Sequence, residues 1–255
     1  MKIHFEKYQA SGNDFILINN FEKRVHLNKK IISFLCDRNF GIGADGIIII
    51  QKCATADFEM IFFNPDGTES MCGNGSKCAV NFAIKKGLSN ATPKFLTYDG
   101  YHKAYIKHNK IYIQMNNIIE IKKIKNDYFI NSGAPHHIKF VKKLKDLDIL
   151  EEVNIIRSDN KYKSKDCNIN FIQIDDKHKI QLRTFEKGVE KETQSCGTGA
   201  VASSIASTFK NVISPVTSSF KGGNLTIHFE KCNSIFKNIF LVGKANFIYS
   251  GDIII

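Results

Sequence analysis

The chain has 255 residues, of which 43% are hydrophobic and 24% are charged, a composition typical of a folded globular protein. Its net charge of +11 comes from basic residues that are spread along the chain, without the basic clusters interleaved with aromatic residues that mark a nucleic-acid surface. No apolar run reaches the roughly 20 residues that cross a bilayer, and the N-terminal segment lacks the apolar core of a signal peptide, so we expect a cytoplasmic protein with neither a nucleic-acid nor a membrane partner.

Short apolar runs rich in β-branched and aromatic residues dominate the chain and predict β-strands. The predicted strands are residues 3–8, 15–18, 47–50, 58–63, 111–115, 171–174, 180–185, 225–229 and 239–242, with a last strand at 247–255. The predicted helices are fewer, at residues 29–37, 75–86, 144–153 and 199–210. We therefore predict an α+β fold that is rich in strands.

The cysteines argue against a metal or disulfide framework. There are seven of them, and no two form a C-x-x-C pair: Cys36, Cys53, Cys72, Cys78, Cys167, Cys196 and Cys232. An odd number without metal-ligand spacing predicts reduced thiols and no bound metal. Taken singly, most of them are predicted to be small buried apolar residues.

Two of the cysteines lie in a more specific setting, because each belongs to a Cys-Gly-polar-Gly turn that leads into a predicted helix. The first turn is CGNG at residues 72–75, and the second is CGTG at residues 196–199. A helix N-terminus presents unpaired backbone N–H groups that bind anions and lower the pKa of an adjacent thiol. Each turn is therefore predicted to place a reactive thiol beside a cradle for a carboxylate.

The same order of features occurs in both halves of the chain. An Asn-containing strand comes first, a strand ending in a Gly-containing turn comes next, and the Cys-Gly turn follows. This repeat predicts two similar domains related by a pseudo-two-fold axis, with the two Cys-Gly turns facing each other across a cleft that holds the active site. We expect the domains to be residues 1–116 and 117–242, with the final strand at 243–255 returning to the first domain.

Two opposed thiols would suit the inversion of an amino-acid stereocentre without a cofactor. One thiolate removes the α-proton from one face, and the neutral thiol delivers a proton to the other face. The N–H groups of the helix ends stabilise the negative charge that develops on the carboxylate. This scheme requires neither a cofactor nor a metal.

With these motifs the chain resembles the diaminopimelate epimerase family, and the resemblance covers nearly the whole sequence. The matching segments are SGNDF at 11–15, GIGADG at 41–46, FNPDGT at 63–68, CGNG at 72–75, Pro135-His136, NINF at 168–171, EKG at 186–188, ETQSCGTG at 192–199 and Gly222-Gly223. The resemblance implies a homodimeric isomerase, independent of pyridoxal phosphate, that interconverts LL- and meso-diaminopimelate in the biosynthesis of lysine and peptidoglycan precursors.

The resemblance also implies a role for each matching position. Cys72 and Cys196 would be the two acid–base groups, with His136 assisting Cys72 and Glu186 assisting Cys196. The turns would bind the reacting carboxylate, mainly through backbone amides, at Gly73, Asn74, Gly197 and Thr198. The distal amino-acid end of the substrate would be recognised by Asn13, Asn64, Asn168 and Lys187.

Three positions depart from the pattern of the family. Lys187 stands where arginine is usual, and a lysine cannot form the bidentate fork of a guanidinium on a carboxylate. Ala134 replaces the asparagine that commonly precedes Pro-His, and Gly46 stands where some members carry glutamine. These departures concern substrate affinity and leave the cysteine pair untouched.

The residues alone are also compatible with other classes of function. A related two-thiol racemase, similar to the proline racemases, would share the chemistry and differ in its distal site. A thiol–disulfide redox protein would use Cys72 and Cys196 as its dithiol, and a basic nucleic-acid-binding module would show salt-sensitive binding. The GIG segment at residues 41–43 lacks the rest of a dinucleotide fingerprint and predicts a tight turn.

Overall fold

The computed structural model describes residues 2–158 and 167–255, and the chain divides into two units. Unit 1 comprises Met1–Gln114 and Gly243–Ile255, and unit 2 comprises Met115–Val242. In the described residues both units consist mainly of β-strands with two α-helices each, which confirms the predicted α+β class. Within the described residues, no helix combines the length and the apolar character that a membrane crossing needs.

Unit 1 is built on eight strands. They are β1 (Lys2–Ala10), β2 (Asn13–Asn19), β3 (Gly46–Gln51), β4 (Phe58–Phe63), β5 (Lys94–Thr97), β6 (Gly100–Lys107), β7 (Lys110–Gln114) and β17 (Asn246–Ile254), and the helices are α1 (Lys29–Cys36) and α2 (Gly73–Lys85). The strands pair in the order β17-β1-β2-β3-β4-β5-β6-β7. The β2/β3 and β4/β5 pairs are parallel, and the others are antiparallel.

Unit 2 repeats this arrangement. Its elements are β8 (Ile121–Ile124), β9 (Asp127–Asn131), β10 (Pro135–Phe140), α3 (Ile149–Ser158), β11 (Asn168–Asp176), β12 (Lys179–Glu186), β13 (Lys191–Thr193), α4 (Gly197–Ser207), β14 (Val216–Phe220), β15 (Gly223–Cys232) and β16 (Ile235–Gly243). The pairing order is β8-β9-β10-β11-β12-β14-β15-β16, with parallel β10/β11 and β12/β14 pairs, and β13 adds to β12. The directions of the successive pairs match those of unit 1, which confirms the predicted repeat.

The second helix of each unit is buried among the strands of its own unit. Ten of the 13 residues of α2 are buried, and α2 packs on β1, β2, β3, β4 and β7. All 11 residues of α4 are buried, and α4 packs on β9, β10, β11, β12, β14 and β15. A helix that is enclosed on every side needs small and apolar residues all round, and α4 provides them in the sequence GTGAVASSIAS. Each Cys-Gly turn begins one of these two enclosed helices.

The uninterrupted apolar run of β3 is explained by cover on both of its faces. Ile47 and Ile49 belong to a buried cluster with Ile32 of α1. The side chain of Ile48 points the other way, toward α2, since a Cβ added at Gly75 would lie 3.1 Å from Ile48 Cδ1. Alternate residues of a strand face opposite sides, and each fully buried isoleucine contributes about 1.5–3 kcal/mol to folding. The apolar run therefore anchors α1 and α2 to one strand.

Helix α3 differs from its prediction at both ends. The apolar pattern predicts a helix over residues 144–153, whereas α3 spans Ile149–Ser158. Asp148 fixes the start, because its Oδ1 accepts hydrogen bonds from the backbone N–H groups of Leu150 at 3.0 Å and Glu151 at 3.1 Å. An aspartate in this position is a strong helix N-cap.

A buried ion pair in the β5–β6 hairpin makes the stability of unit 1 depend on pH. His102 Nε2 lies 2.8 Å from Asp99 Oδ1, and His102 Nδ1 lies 2.8 Å from the Gln114 carbonyl oxygen. Burial opposes the charge on His102, but the hydrogen bond and the charge of Asp99 outweigh it and raise the pKa of His102. Burial likewise opposes the charge on Asp99, and His102 with Thr97 lowers its pKa.

We expect the His102→Gln substitution to cost more stability at about pH 5.5 than at about pH 9. The pKa of His102 is higher in the folded state than in the unfolded state. Its contribution to stability is therefore complete at pH values below the unfolded-state pKa, and it is lost as the pH rises through the folded-state pKa. The pKa of Asp99 is lower in the folded state, so this carboxylate stabilises the fold at pH values above its unfolded-state pKa. That contribution is lost only in stronger acid, as the pH falls through the folded-state pKa. Urea unfolding of wild type and variant at both pH values measures this difference. His26→Gln, at an exposed position, is the control, and a cost that does not change with pH would contradict the prediction.

Candidate active site

The two cysteines of the Cys-Gly turns have the same local geometry. Cys72 is the N-cap of α2, with φ −131° and ψ 110°, and its Sγ accepts a hydrogen bond from the Gly75 N–H at 3.3 Å. Cys196 is the N-cap of α4, with φ −130° and ψ 117°, and its Sγ accepts a hydrogen bond from the Gly199 N–H at 3.3 Å. Each sulfur thus takes the place of the side-chain oxygen of an ordinary N-cap.

This position favours the thiolate form of each cysteine. The N-terminus of a helix carries a partial positive charge, and a hydrogen bond from the backbone stabilises a negative sulfur more than a neutral one. The first N–H groups of each helix have no partner within the helix, so those at Gly73, Asn74, Gly197 and Thr198 can face a bound carboxylate. Each turn can therefore hold an acidic group beside a nucleophilic or basic sulfur.

In unit 1 the turn of Cys72 is connected to the start of β2. Asn74 is 1% exposed, and its Nδ2 donates a hydrogen bond to Asn13 Oδ1 at 2.6 Å. Asn13 Nδ2 in turn donates to Asp45 Oδ2 at 3.0 Å. The structure therefore brings Asn13 and Asn74, two of the predicted substrate-binding residues, into direct contact and orients both amides.

A charged network supports the same end of β2. Arg38 binds Asp14 through two hydrogen bonds of 3.1 and 2.6 Å and reaches Asp45 Oδ1 at 2.9 Å. Lys7 Nζ lies 2.7 Å from Asp14 Oδ2. Burial would raise the pKa of Asp14, but the hydrogen bonds from Arg38 and Lys7 lower it, so the carboxylate stays ionised. This network fixes Asp45, the residue that holds the amide of Asn13.

Asn64 lies in the turn after β4. Its Nδ2 faces three oxygen atoms at 3.1 Å, the carbonyl oxygen and Oγ1 of Thr68 and Oγ of Ser70. These contacts close the turn after the strand. The predicted role of Asn64 in recognising the distal end of a substrate stays a prediction.

In unit 2 a chain of buried hydrogen bonds leads to the sulfur of Cys196. Asn170 Nδ2 donates to His136 Nδ1 at 3.0 Å, so the proton of the neutral imidazole is on Nε2. That nitrogen lies 2.9 Å from Thr198 Oγ1, and Thr198 Oγ1 lies 3.6 Å from Cys196 Sγ. The threonine oxygen accepts from His136 and keeps its own proton, which it can donate when Cys196 is a thiolate. The chain therefore ends in a hydroxyl that can serve as a donor to Cys196.

The histidine of this chain remains neutral. His136 is fully buried, and burial lowers its pKa to about 3, although the hydrogen bond with Asn170 acts in the opposite direction. At neutral pH it can donate through Nε2 but does not carry a charge. Its hydrogen bonds within unit 2 are made with Thr198 and Asn170, and the assistance to Cys72 that the resemblance implies stays a prediction.

Asn170 is the residue of this network that the sequence prediction missed. Its Nδ2 also donates to the His137 carbonyl oxygen at 3.0 Å, and its Oδ1 accepts from Thr184 Oγ1 at 3.0 Å. It is fully buried in β11, a strand of otherwise apolar inward positions. The signal in the sequence is an asparagine between Ile169 and Phe171 of an apolar strand, because a buried amide costs free energy unless it is satisfied.

The remaining predicted residues of unit 2 lie where β11 begins and β12 ends. Asn168 Oδ1 accepts a hydrogen bond from the backbone N–H of Lys187 at 2.9 Å, and the lysine side chain is exposed. Glu186 Oε1 accepts from Thr193 Oγ1 at 2.7 Å. The structure thus brings Asn168, Glu186 and Lys187 together at one edge of the unit.

The structure gives a packing reason for Gly46, one of the departures from the family pattern. A Cβ added at Gly46 would lie 2.3 Å from Phe62 Cε2 and 2.6 Å from the Phe63 carbonyl oxygen. Neither distance is compatible with a side chain. The glutamine that some family members carry would not fit in this chain without a rearrangement of β4.

The fold of this chain is shared with proteins of known structure. The structure of a phenazine biosynthesis protein of the PhzF family from Bacillus anthracis matches with a TM-score of 0.76 at 16% identity, covering 100% of both chains. A hydroxyproline epimerase from Agrobacterium vitis, solved with bound trans-4-hydroxy-L-proline, matches with a TM-score of 0.72 at 11% identity, over 99% of this chain and 92% of that one. At these identities the likeness defines the fold.

Sequence comparisons then place the chain within that class. The family model for diaminopimelate epimerase matches residues 5–118 and 128–248. The diaminopimelate epimerase of Flavobacterium psychrophilum is 42% identical over 261 residues, covering 99% of this chain and 100% of its own length. That of Aquifex aeolicus is 34% identical over 273 residues, covering 98% and 97%. The chain belongs to the diaminopimelate epimerase family and is an isomerase of the epimerase type.

Proposed function

We propose that this enzyme converts LL-diaminopimelate into meso-diaminopimelate by a two-cysteine mechanism. The observation that carries the proposal is the equal N-cap geometry of Cys72 and Cys196, each with its sulfur 3.3 Å from a helix N–H. Family membership supports the substrate, since the relatives of 34–42% identity are diaminopimelate epimerases. The reaction belongs to the biosynthesis of lysine and peptidoglycan precursors, which we expect to take place in the cytoplasm.

In this mechanism the proton moves between two sulfurs and one carbon. A thiolate takes the α-proton from one face of the substrate, and the electron pair stays on the α-carbon and its carboxylate. The thiol on the opposite face then gives its proton to that carbon, so the protonation states of the two cysteines are exchanged. The mechanism requires the two sulfurs to flank one α-carbon, with the helix N–H groups on the carboxylate where charge develops.

The hydrogen bonds of unit 2 support the acid–base function of Cys196. We propose that His136 acts through Thr198, whose hydroxyl proton is directed to the sulfur, and not as a proton carrier of its own. Glu186 is a further group that we propose to assist Cys196, as the family resemblance implies. A donor to sulfur stabilises the thiolate and lowers the thiol pKa. The network is neutral, so it leaves no buried charge when Cys196 is protonated.

Recognition of the distal amino-acid end is proposed for Asn13, Asn64, Asn168 and Lys187. Amide groups can bind both an ammonium and a carboxylate, which suits an end that carries both. Lys187 would provide a point charge for the distal carboxylate, because a lysine cannot bind it in a bidentate manner.

Proton exchange in deuterated water tests the function and separates its rivals. The enzyme is incubated with LL-diaminopimelate, and NMR follows loss of the α-proton signal and formation of the meso isomer. We expect the meso product to carry deuterium at the inverted carbon, because the thiol that delivers the proton exchanges with solvent. Exchange with proline and none with diaminopimelate would favour a proline-type racemase. Disulfide-reductase activity without exchange would favour a redox protein.

Thr198→Val is expected to lower kcat/KM about 10- to 100-fold, the worth of one hydrogen bond to a charged group. Valine has the shape of threonine but lacks the proton that the hydroxyl directs to Cys196. The backbone N–H groups of the turn remain in place, so KM should change less than kcat. The same exchange assay measures both constants, and Thr198→Ser, which keeps the hydroxyl, is the control. A valine variant as active as wild type would show that the network is only structural.

A homodimer is proposed through the exposed edge of unit 1. β17 pairs with β1 at the end of the strand order of unit 1. Three successive apolar residues of β17 are 43%, 52% and 43% exposed, at Phe247, Ile248 and Tyr249. Exposed apolar edges of this kind are typical of interfaces.

Light scattering should give twice the chain mass for wild type and for the exposed control Lys244→Glu. Tyr249→Asp should shift the mass toward one chain, and a wild-type monomer would refute the proposal.

A further inference from the structure

One charged side chain of α2 is buried and unused by the mechanism described so far. Lys77 is fully buried, and in the described part of the chain its Nζ has no hydrogen-bond partner. Moving an ammonium group out of water costs several kcal/mol unless an opposite charge compensates it. A lysine kept in this position therefore points to a negative charge that forms nearby.

The helix geometry directs Lys77 toward the Cys72 turn. Lys77 follows the N-cap cysteine by five residues, and side chains of an α-helix lean toward its N-terminus, over the residues three and four positions earlier. These are Gly73 and Asn74, the first two residues of α2. The lysine chain is long enough to carry its ammonium group back along this face toward the anion-binding end.

Two cysteines interact electrostatically with Lys77, and only one of them is suited to become an anion. They are Cys78, with the larger effect, and Cys72, and both favour the charged form of the lysine. Burial raises the pKa of Cys78, which is completely enclosed and stays a thiol. Cys72 is partly exposed and accepts a helix N–H on its sulfur. Burial lowers the pKa of Lys77 to about 8, so the lysine still carries its charge at neutral pH.

The acidic side chains on the strands that pack against α2 have other partners. Glu6 of β1 pairs with Lys86. Asp14 of β2 pairs with Lys7 and Arg38, and Glu59 of β4 accepts a hydrogen bond from Gln51. β3 contains no titratable residue, and those of β7 are Lys110 and Tyr112, which contribute no acid. Tyr8 of β1 interacts with Glu6 and Cys78, and burial raises its pKa, so it stays neutral. Cys72 is therefore the group left to balance the lysine.

The equivalent position in unit 2 has no charge. When the two N-capping cysteines are aligned, Lys77 of α2 corresponds to Val201 of α4, which is fully buried. The sulfur of Cys196 is instead served by the neutral chain that ends in Thr198. Two turns with equal backbone geometry thus differ in one buried full charge, and that charge is on the side of Cys72.

We propose that Lys77 is a positioning residue that holds Cys72 as the thiolate in the ligand-free enzyme and leaves Cys196 as the thiol. The inference rests on the proposed function, because it assigns the resting base and the resting acid of that mechanism. It makes the free enzyme ready to remove a proton with Cys72 first. After one turnover Cys196 is the thiolate and Cys72 carries the proton. Lys77 then favours loss of this proton from Cys72, which restores the resting state.

Alkylation of the ligand-free protein tests the proposal without any substrate. Iodoacetamide reacts with thiolates, so the rate at each cysteine is measured against pH by peptide mass spectrometry, and the midpoint of each curve is compared. Midpoints are used because the two cysteines differ in exposure. In the wild type we expect the Cys72 midpoint to lie about one pH unit or more below that of Cys196.

Variants of Lys77 show whether the charge is responsible. In Lys77→Met the Cys72 midpoint should rise by about one pH unit or more, and Lys77→Arg should keep it near the wild-type value. Lys85→Met, the same change at an exposed position of α2, should leave it unchanged. The Tm of Lys77→Met should not fall, because the variant no longer buries an ammonium group. A purely structural lysine would lower the Tm and leave the midpoint in place.

Each outcome decides between the proposals. An unchanged Cys72 midpoint in folded Lys77→Met overturns the assignment. If Lys77→Met does not fold, the wild-type measurement is sufficient: a Cys72 midpoint at or above that of Cys196 overturns the assignment. If the midpoints behave as expected but the wild type does not exchange the α-proton of LL-diaminopimelate, the proposed function fails while the role of Lys77 stands.

Discussion

We expect Cys72→Ala and Cys196→Ala each to lower kcat/KM for LL-diaminopimelate by about 10⁴-fold or more. Alanine removes the only group on its side of the α-carbon that the mechanism uses to take or give a proton. The remaining turn still binds a carboxylate through its backbone N–H groups, so affinity should fall much less than turnover. A variant that binds substrate and does not invert it is the signature of a lost acid–base group.

The two cysteines should also behave as one unit. The double variant should be about as inactive as either single variant, because both thiols act on one proton transfer and the loss of one stops it. Deuterium exchange by NMR gives the rates, and thermal unfolding verifies that the variants are folded. Cys232→Ala removes an exposed cysteine and should keep wild-type activity. Full inversion by either single alanine variant would exclude the two-cysteine mechanism.

The parts of the structure that depend on local pattern could be predicted from the sequence. The strand predicted at residues 58–63 is β4 (Phe58–Phe63), because its apolar and aromatic residues both favour and fill a sheet. The two Cys-Gly turns could be identified from their glycines and from the order they share. Their helices start two residues earlier than predicted, at Gly73 and Gly197, since the cysteine itself is the N-cap.

The short polar strands could not be predicted, because their stability comes from their neighbours. β8 reads IKKI and β5 reads KFLT, and neither sequence stands out from a loop. β8 is held by antiparallel pairing with β9, and β5 by pairing with β4 and β6. Pairing of this kind is a property of the assembled sheet, and strand propensity depends strongly on context.

The buried polar residues of the candidate site are the most informative part that local pattern could not provide. Asn170 meets His136 across 34 residues of sequence and Thr184 across 14, so no local motif contains the network. Lys77 is equally hidden, since a lysine in a helix sequence usually reaches water. In both cases the structure shows that the polar group is buried. Because burying a polar group costs free energy, we infer that the residue has a function.

Gly199→Ala is expected to be far more damaging than the matched change Gly75→Ala. The added Cβ at Gly199 would lie 2.6 Å from Asn170 Oδ1 and 3.2 Å from Cys196 Sγ. At Gly75 the nearest atoms are the flexible ends of two side chains, Ile48 Cδ1 at 3.1 Å and Met60 Cε at 3.2 Å. These ends can move by a few tenths of an ångström without breaking a hydrogen bond. In a helix, alanine in place of glycine gains about 0.5–1 kcal/mol, which offsets a small rearrangement of this kind.

No such gain compensates the change at Gly199, because Asn170 is held by hydrogen bonds on both ends of its amide. To move away from the new methyl group it must give up bonds that each cost about 1–3 kcal/mol when left unsatisfied in the interior. His136 would lose the donor that sets its tautomer, and the sulfur of Cys196 would be displaced from the proton it must exchange. We therefore expect Gly199→Ala to lower kcat about 100-fold and the free energy of unfolding by about 2–4 kcal/mol. Gly75→Ala should stay within about 1 kcal/mol of wild type in urea unfolding. Equal losses in the two variants would show that both helix ends tolerate a side chain alike, and that the polar network gives the turn of Cys196 no special rigidity.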